Sequence, residues 1–64
     1  MMRISLKSAR INAGLRQTDV AMELKVSRKT VAAWENGKSV PSVDKVEPLC
    51  KLYGVSYENI RWSN

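Results

Sequence analysis

The chain predicts an all-α domain of five short helices separated by tight breaks. Three observations lead there. Apolar residues recur three and four positions apart and nowhere alternate over a sustained stretch, so helices are expected and strands are not. Serine or glycine stands at the breaks, where helix starts and stops are needed. With 64 residues the chain has room for one domain, read as 1–64, whose small core supplies only about 3–5 kcal/mol of net stability. Repeats, low-complexity segments and internal linkers are absent from it.

The first helix is predicted over 5–13, SLKSARINA. Ser5 suits its cap and Gly14 the left-handed residue just past its end. Leu6, Ala9, Arg10 and Ala13 share one face, an odd place for an arginine. The second helix is QTDVAMEL, 17–24, with Val20, Ala21 and Leu24 inward. Asp19 lies in its first turn, where the helix dipole favours an anion. After Lys25 and Val26, Ser27 caps a third helix, RKTVAAWEN, that Gly37 stops. Val31 and Trp34 face inward from it. A fourth helix starts at Ser42 or Asp44 and ends near Tyr53, with Gly54 at its stop. Asp44 and Glu47 have capping-box spacing. Pro48 either lies in the first turn, which favours the start at Asp44, or kinks the helix. Val46, Leu49, Cys50 and Tyr53 form its apolar stripe. Ser56 opens a last short helix, YENIRW.

Composition narrows the function. The longest unbroken apolar run is Val31–Trp34, so no segment of this sequence spans a membrane. The N-terminal MMRISLKSAR lacks the apolar core of a signal peptide, and a cytoplasmic protein is expected. One cysteine, Cys50, makes no internal disulfide and is expected to be an inert core residue. Without histidine, ordinary zinc sites and Ser-His or Cys-His nucleophile pairs are out of reach, so neither an enzyme nor a metal or other cofactor is expected. Eleven Lys/Arg against six Asp/Glu leave a net charge of +5, which favours a polyanionic partner. An anionic membrane surface fits poorly, because the helices are short, carry Asp and Glu, and are broken by Gly and Pro.

Residues 17–36 carry the functional signal. Two short helices joined by a tight turn, the second with a basic start, are a device for reading DNA: the second helix enters the major groove and its early residues reach base edges. Ala21 is small where the two helices must cross. Val20, Leu24, Val26, Val31 and Trp34 supply the apolar wedge. Arg28 and Lys29 put charge on the exposed start of the third helix.

Further residues fit the same picture. Gly14-Leu15-x-Gln17, Val20-Ala21, Leu24-x-Val26-Ser27, Thr30-Val31, Trp34-Glu35-Asn36-Gly37-Lys38, Pro41-Ser42 and Gly54-Val55-Ser56 resemble the lambda-repressor-like, Cro/repressor-type (XRE) helix-turn-helix family, from Leu6 to about Ile60. The resemblance implies a compact five-helix domain that binds operator DNA as a dimer. It implies base reading by Arg28 and Lys29, with arginine matched to O6 and N7 of guanine. Ala33 and Ala32 then face the groove, with only thymine methyls in reach. Asn36 and Lys38 look like phosphate clamps, which position without specifying. Gln17 either meets a phosphate or buttresses the third helix. Ser27 is first a cap and second a phosphate contact, and Thr30 reaches a phosphate or packs. Arg10 and Glu35 match a largely buried ion pair of the family, which accounts for the inward arginine.

Two positions depart from the family pattern. Lys25 stands where the turn usually has glycine, and Arg16 replaces the usual capping Ser or Thr. Arg16 weakens the start of the second helix but adds a cation near the phosphates. Tyr57, Ile60 and Trp62 either complete the core, with Trp62 fraying, or form an apolar patch for a symmetric partner. The resulting expectation is a sequence-specific, double-stranded DNA-binding transcriptional regulator, a dimeric repressor acting by occlusion. The alternative is an antitoxin-like interaction module that binds DNA secondarily. Polymerase or a toxin-like protein are the protein partners these readings allow.

Overall fold

The Ser5 hydroxyl accepts the Ser8 amide at 3.0 Å and starts α1 (Leu6–Asn12). The computed structural model describes residues 3–62. Past α1 the chain turns through Gly14, at φ +74°, a left-handed conformation that glycine adopts without steric cost. α2 (Gln17–Leu24) follows, then α3 (Arg28–Glu35) and α4 (Val43–Tyr53). Each is amphipathic at the spacing the sequence predicts. Val20, Ala21 and Leu24 of α2, Val31 and Trp34 of α3, and Leu49 and Tyr53 of α4 are buried together with Leu6 and Ala9 of α1. Val20, Val31 and Leu49 are almost wholly enclosed, and burial of each such side chain stabilises by about 1.5–3 kcal/mol. None of the helices described is long and apolar enough to cross a membrane.

The turn between α2 and α3 keeps its left-handed residue although that residue is lysine. Lys25 sits at φ +57°. Its amide donates to the Met22 carbonyl at 3.3 Å and the Val26 amide to the Ala21 carbonyl at 3.0 Å, the double closure that satisfies the last carbonyls of a helix. The Lys45 ammonium, arriving from α4, donates to the Leu24 carbonyl at 2.9 Å. The weak helix start expected at Arg16 is repaired from inside α2. The Asp19 carboxylate accepts the Arg16 backbone N–H at 2.8 Å.

The fourth helix begins earlier than one of the two predicted starts. Ser42 is the cap residue and Val43 the first helical residue, so the Asp44–Glu47 capping box does not form. Asp44 instead accepts the Ser42 hydroxyl at 2.6 Å, which holds its carboxyl below the usual carboxylate range. Pro48 therefore falls past the first turn, where the carbonyl of Asp44 loses its usual partner. Gly54 ends the helix at φ +67°.

The end of the chain departs from the predicted fifth helix. Tyr57–Asn59 form a single 3-10 turn, and Ile60–Arg61 are extended as strand β2. They pair in parallel with β1 (Ile4–Ser5), in the register Ile4 with Ile60 and Ser5 with Arg61. Among the described residues the fold is thus four α-helices with a minimal two-stranded sheet, not five helices. Extension is what carries Ile60 into the core, at 2% exposure, while the pairing satisfies the backbone polar groups that this burial would otherwise strand. Ile60 has nothing to offer a second copy and leaves the predicted dimer patch. Trp62 does not fray: its indole N–H donates to the Tyr57 carbonyl at 3.0 Å, and the two rings stack with centroids 5.3 Å apart.

Candidate nucleic-acid interface

The start of α3 is fixed by its own cap. The Ser27 Oγ accepts the Thr30 amide at 3.1 Å, and the two hydroxyls lie 2.9 Å apart. Thr30 is half-buried and engaged locally, and Ser27 serves as the cap its sequence predicts. Arg28 and Lys29 follow in the first turn, both exposed. The Lys29 side chain makes no hydrogen bond or ion pair among the described residues. Ala32 and Ala33 are half-buried along the same helix.

Arg28 is held from behind. Its Nη1 donates to Gln17 Oε1 at 3.1 Å, and the Gln17 amide nitrogen donates to Glu35 Oε1 at 3.0 Å. Glu35 in turn accepts Arg10 Nε on Oε2 at 2.6 Å and Arg10 Nη2 on Oε1 at 3.3 Å. The remaining Arg10 Nη1 donates to the Leu15 carbonyl at 2.9 Å. The Glu35 and Arg10 side chains are only 3% and 11% exposed, so this is a buried, fork-shaped pair with its polar atoms satisfied. Four residues from three helices form one chain of bonds, from the interior to the exposed tip of α3. Gln17 buttresses α3 in this geometry, and its amide lies at the start of α2 beside Arg16. Tyr53 packs into the same region. Burial, and secondly the Glu35 carboxylate, push its phenol up to about 12, while Arg10 acts in the opposite sense.

Arg16 lies on the surface, its guanidinium folded back on the Asp19 carboxylate at 3.3 Å. The Arg16 backbone and side chain together hold the Asp19 carboxyl below its usual range. Asn36 and Lys38 are exposed in the loop that follows α3, with Gly37 between them at φ +74°. Gln17 spans α3, bonded to its first residue, Arg28, and to its last, Glu35. Sequence reasoning took Asp19 for a dipole partner of α2 and missed its hold on Arg16, although the i, i+3 spacing carries that signal. It also missed Lys45, whose reach to Leu24 depends on how α4 crosses α2.

A model of the helix-turn-helix family matches residues 6–60. The chain belongs to this XRE-type helix-turn-helix family. Among helix-turn-helix relatives it is 41% identical over 59 residues to an uncharacterized HTH-type transcriptional regulator of Methanocaldococcus jannaschii, covering 92% of this chain and 89% of that protein. It is 44% identical over 41 residues to the 26 kDa repressor protein of Escherichia phage HK022, covering 64% of this chain but 17% of the repressor. It is 34% identical over 55 residues to the cryptic phage CTXphi transcriptional repressor RstR of Vibrio cholerae, covering 86% of this chain and 50% of RstR. No solved structure matches the chain significantly. In this chain α2 carries the acidic Asp19 and Glu23, and α3 exposes the basic Arg28 and Lys29 in its first turn.

Proposed function

We propose that this domain is a DNA-binding transcriptional regulator that reads a short operator half-site with the start of α3 in the major groove. The observation that carries the reading is the anchored arginine. Arg28 stands exposed on the first turn of α3, and the bond to Gln17 uses one of its five N–H donors. The rest of the fork remains for the O6 and N7 of a guanine. Because Gln17 is itself fixed on the buried Glu35, the arginine is ordered before it meets DNA, which reduces the entropy lost on binding. Lys29 is the second base-reading candidate, with Ala32 and Ala33 in reach of thymine methyls. Arg16 and Gln17 at the start of α2, and Asn36 and Lys38 in the loop after α3, serve as phosphate contacts.

One such module makes few contacts, so two copies act together on a two-fold symmetric site. The exposed Tyr57, stacked on Trp62, is the apolar seat proposed for the second copy; Tyr57 is 61% exposed. Repression by blocking polymerase is the mechanism proposed, supported by the two phage repressors among the relatives. The protein is placed in the cytoplasm, where its DNA is. The test is a titration against random and selected duplexes at several salt concentrations. Affinity should fall with log salt at a slope of about −0.9 per phosphate contacted, and the selected site should have half-sites about 34 Å apart. Equal affinity for all duplexes would overturn the specific-regulator reading.

A further inference from the structure

We infer that the aromatic end of the chain pairs with a second copy through reciprocal charges: Glu58 of each copy meets Arg61 of the other about a two-fold axis through the stacked Tyr57 and Trp62 rings. The inference rests on the two-copy reading proposed above and names what makes that seat self-complementary. Tyr57 and Trp62 stack with centroids 5.3 Å apart and planes 25° apart, and the Trp62 indole N–H is tied to the Tyr57 carbonyl at 3.0 Å. The rings are therefore fixed before a partner arrives, although Tyr57 stays 61% exposed. Glu58 lies in the same 3-10 turn as Tyr57, and Arg61 ends β2 beside Trp62. Both are exposed, while Ile60 between them turns into the core. Three residues of chain keep them within about 11 Å of each other.

Neither charge is used within the molecule: among the described residues the Glu58 and Arg61 side chains make no ion pair or hydrogen bond. The patch thus offers one acid, one base and an apolar centre. Two identical patches related by a two-fold axis are self-complementary, each residue of one copy meeting its reciprocal in the other. With the rings on the axis, the acid side of each copy faces the base side of its partner, and two ion pairs close around an apolar contact. A patch of uniform sign would repel its own copy, and this one does not. Its area is small. The two rings together bury at most about 300–500 Å² per copy, less than the roughly 800 Å² per partner of a stable interface. The copies therefore associate weakly in solution and pair where adjacent half-sites hold them at high effective concentration.

The test reads cooperativity on DNA, as the ratio by which affinity per copy rises when the selected half-site is joined to its two-fold mate. That ratio cancels the general effect of a changed net charge, which acts equally on the half-site alone. Glu58→Arg and Arg61→Glu should each lower it about tenfold, since both exposed pairs turn from attraction to repulsion. An equimolar mixture of the two variants should restore it, because a mixed pair of copies again sets acid against base at both contacts. The mixture separates pairing between copies from an ion pair within one copy, which mixing would not repair. Half-site binding and circular dichroism check that each variant is folded. Single variants as cooperative as the unaltered protein would overturn the inference, as would a mixture no better than either variant alone. A ratio of one for the unaltered protein would overturn the two-copy reading, and the inference with it. Failure of the unaltered protein to prefer any duplex would overturn the DNA-reading function beneath both.

Discussion

Replacing Glu35 with alanine tests the buried end of the bond chain. The Glu35 carboxylate accepts three bonds, two from Arg10 and one from Gln17, while almost fully enclosed. Removing it leaves the Arg10 guanidinium, itself 11% exposed, with the Leu15 carbonyl and no counter-charge. Breaking a buried pair from one side costs about 3–5 kcal/mol. A domain of this length has about that much stability in total. Glu35→Ala should therefore be largely unfolded near 25 °C, with a melting point lowered by tens of degrees at about 4–8 °C per kcal/mol. The paired replacement Arg10→Met with Glu35→Leu removes both charges at once. It should recover most or all of the lost stability, because apolar substitutes for a buried pair are often neutral or stabilising. It should not recover DNA affinity, since Gln17 then loses its anchor and Arg28 its backing. Urea denaturation followed by circular dichroism measures the first effect and duplex binding the second. A loss below about 1 kcal/mol for Glu35→Ala would rule out a buried, mutually dependent pair, as would a double variant no more stable than the single one.

Two further predictions concern stability. The unfolded chain releases the Tyr53 proton near pH 10 while the folded protein holds it until about 12, so stability should fall as pH rises through that window. Tyr53→Phe should flatten the fall, read as urea midpoints at about pH 9 and about pH 11.5; an unchanged pH dependence would contradict the assigned burial. Lys25→Gly should raise stability by up to about 1 kcal/mol, because a side chain at φ +57° costs roughly 1–2 kcal/mol, partly offset by its favourable charge at the end of α2. A lower urea midpoint for that variant would mean that the lysine charge outweighs the strain.

How much of this was legible in the sequence follows from the range of each interaction. The caps at Ser5 and Ser27 and the left-handed stops at Gly14 and Gly54 depend on residues within a turn of one another, and the sequence reading located them. The left-handed conformation of Lys25 was legible only through the family pattern, since nothing in lysine itself announces it. The Arg10–Glu35 pair joins residues 25 positions apart. An inward arginine demands a partner, but only the resemblance said which. The strands Ile4–Ser5 and Ile60–Arg61 are too short to show alternation, so the end of the chain read as helix. The start of α4 was ambiguous because both Ser42 and Asp44 are capping residues, and they are bonded to each other in the structure. In the candidate site, exposure of Arg28 and Lys29 followed from the helical spacing. The restraint of Arg28 by Gln17, and of Arg16 by Asp19, required geometry.

The proposed function turns on Arg28 reading a base. The most direct measurement is a position-by-position affinity profile of the unaltered protein and of Arg28→Ala, each against all single-base variants of the selected half-site. Arg28→Ala should lose about 1–3 kcal/mol on the preferred sequence, with discrimination relaxed mainly at one guanine position. A loss spread evenly over every sequence, with discrimination unchanged, would contradict it and make Arg28 one more phosphate contact.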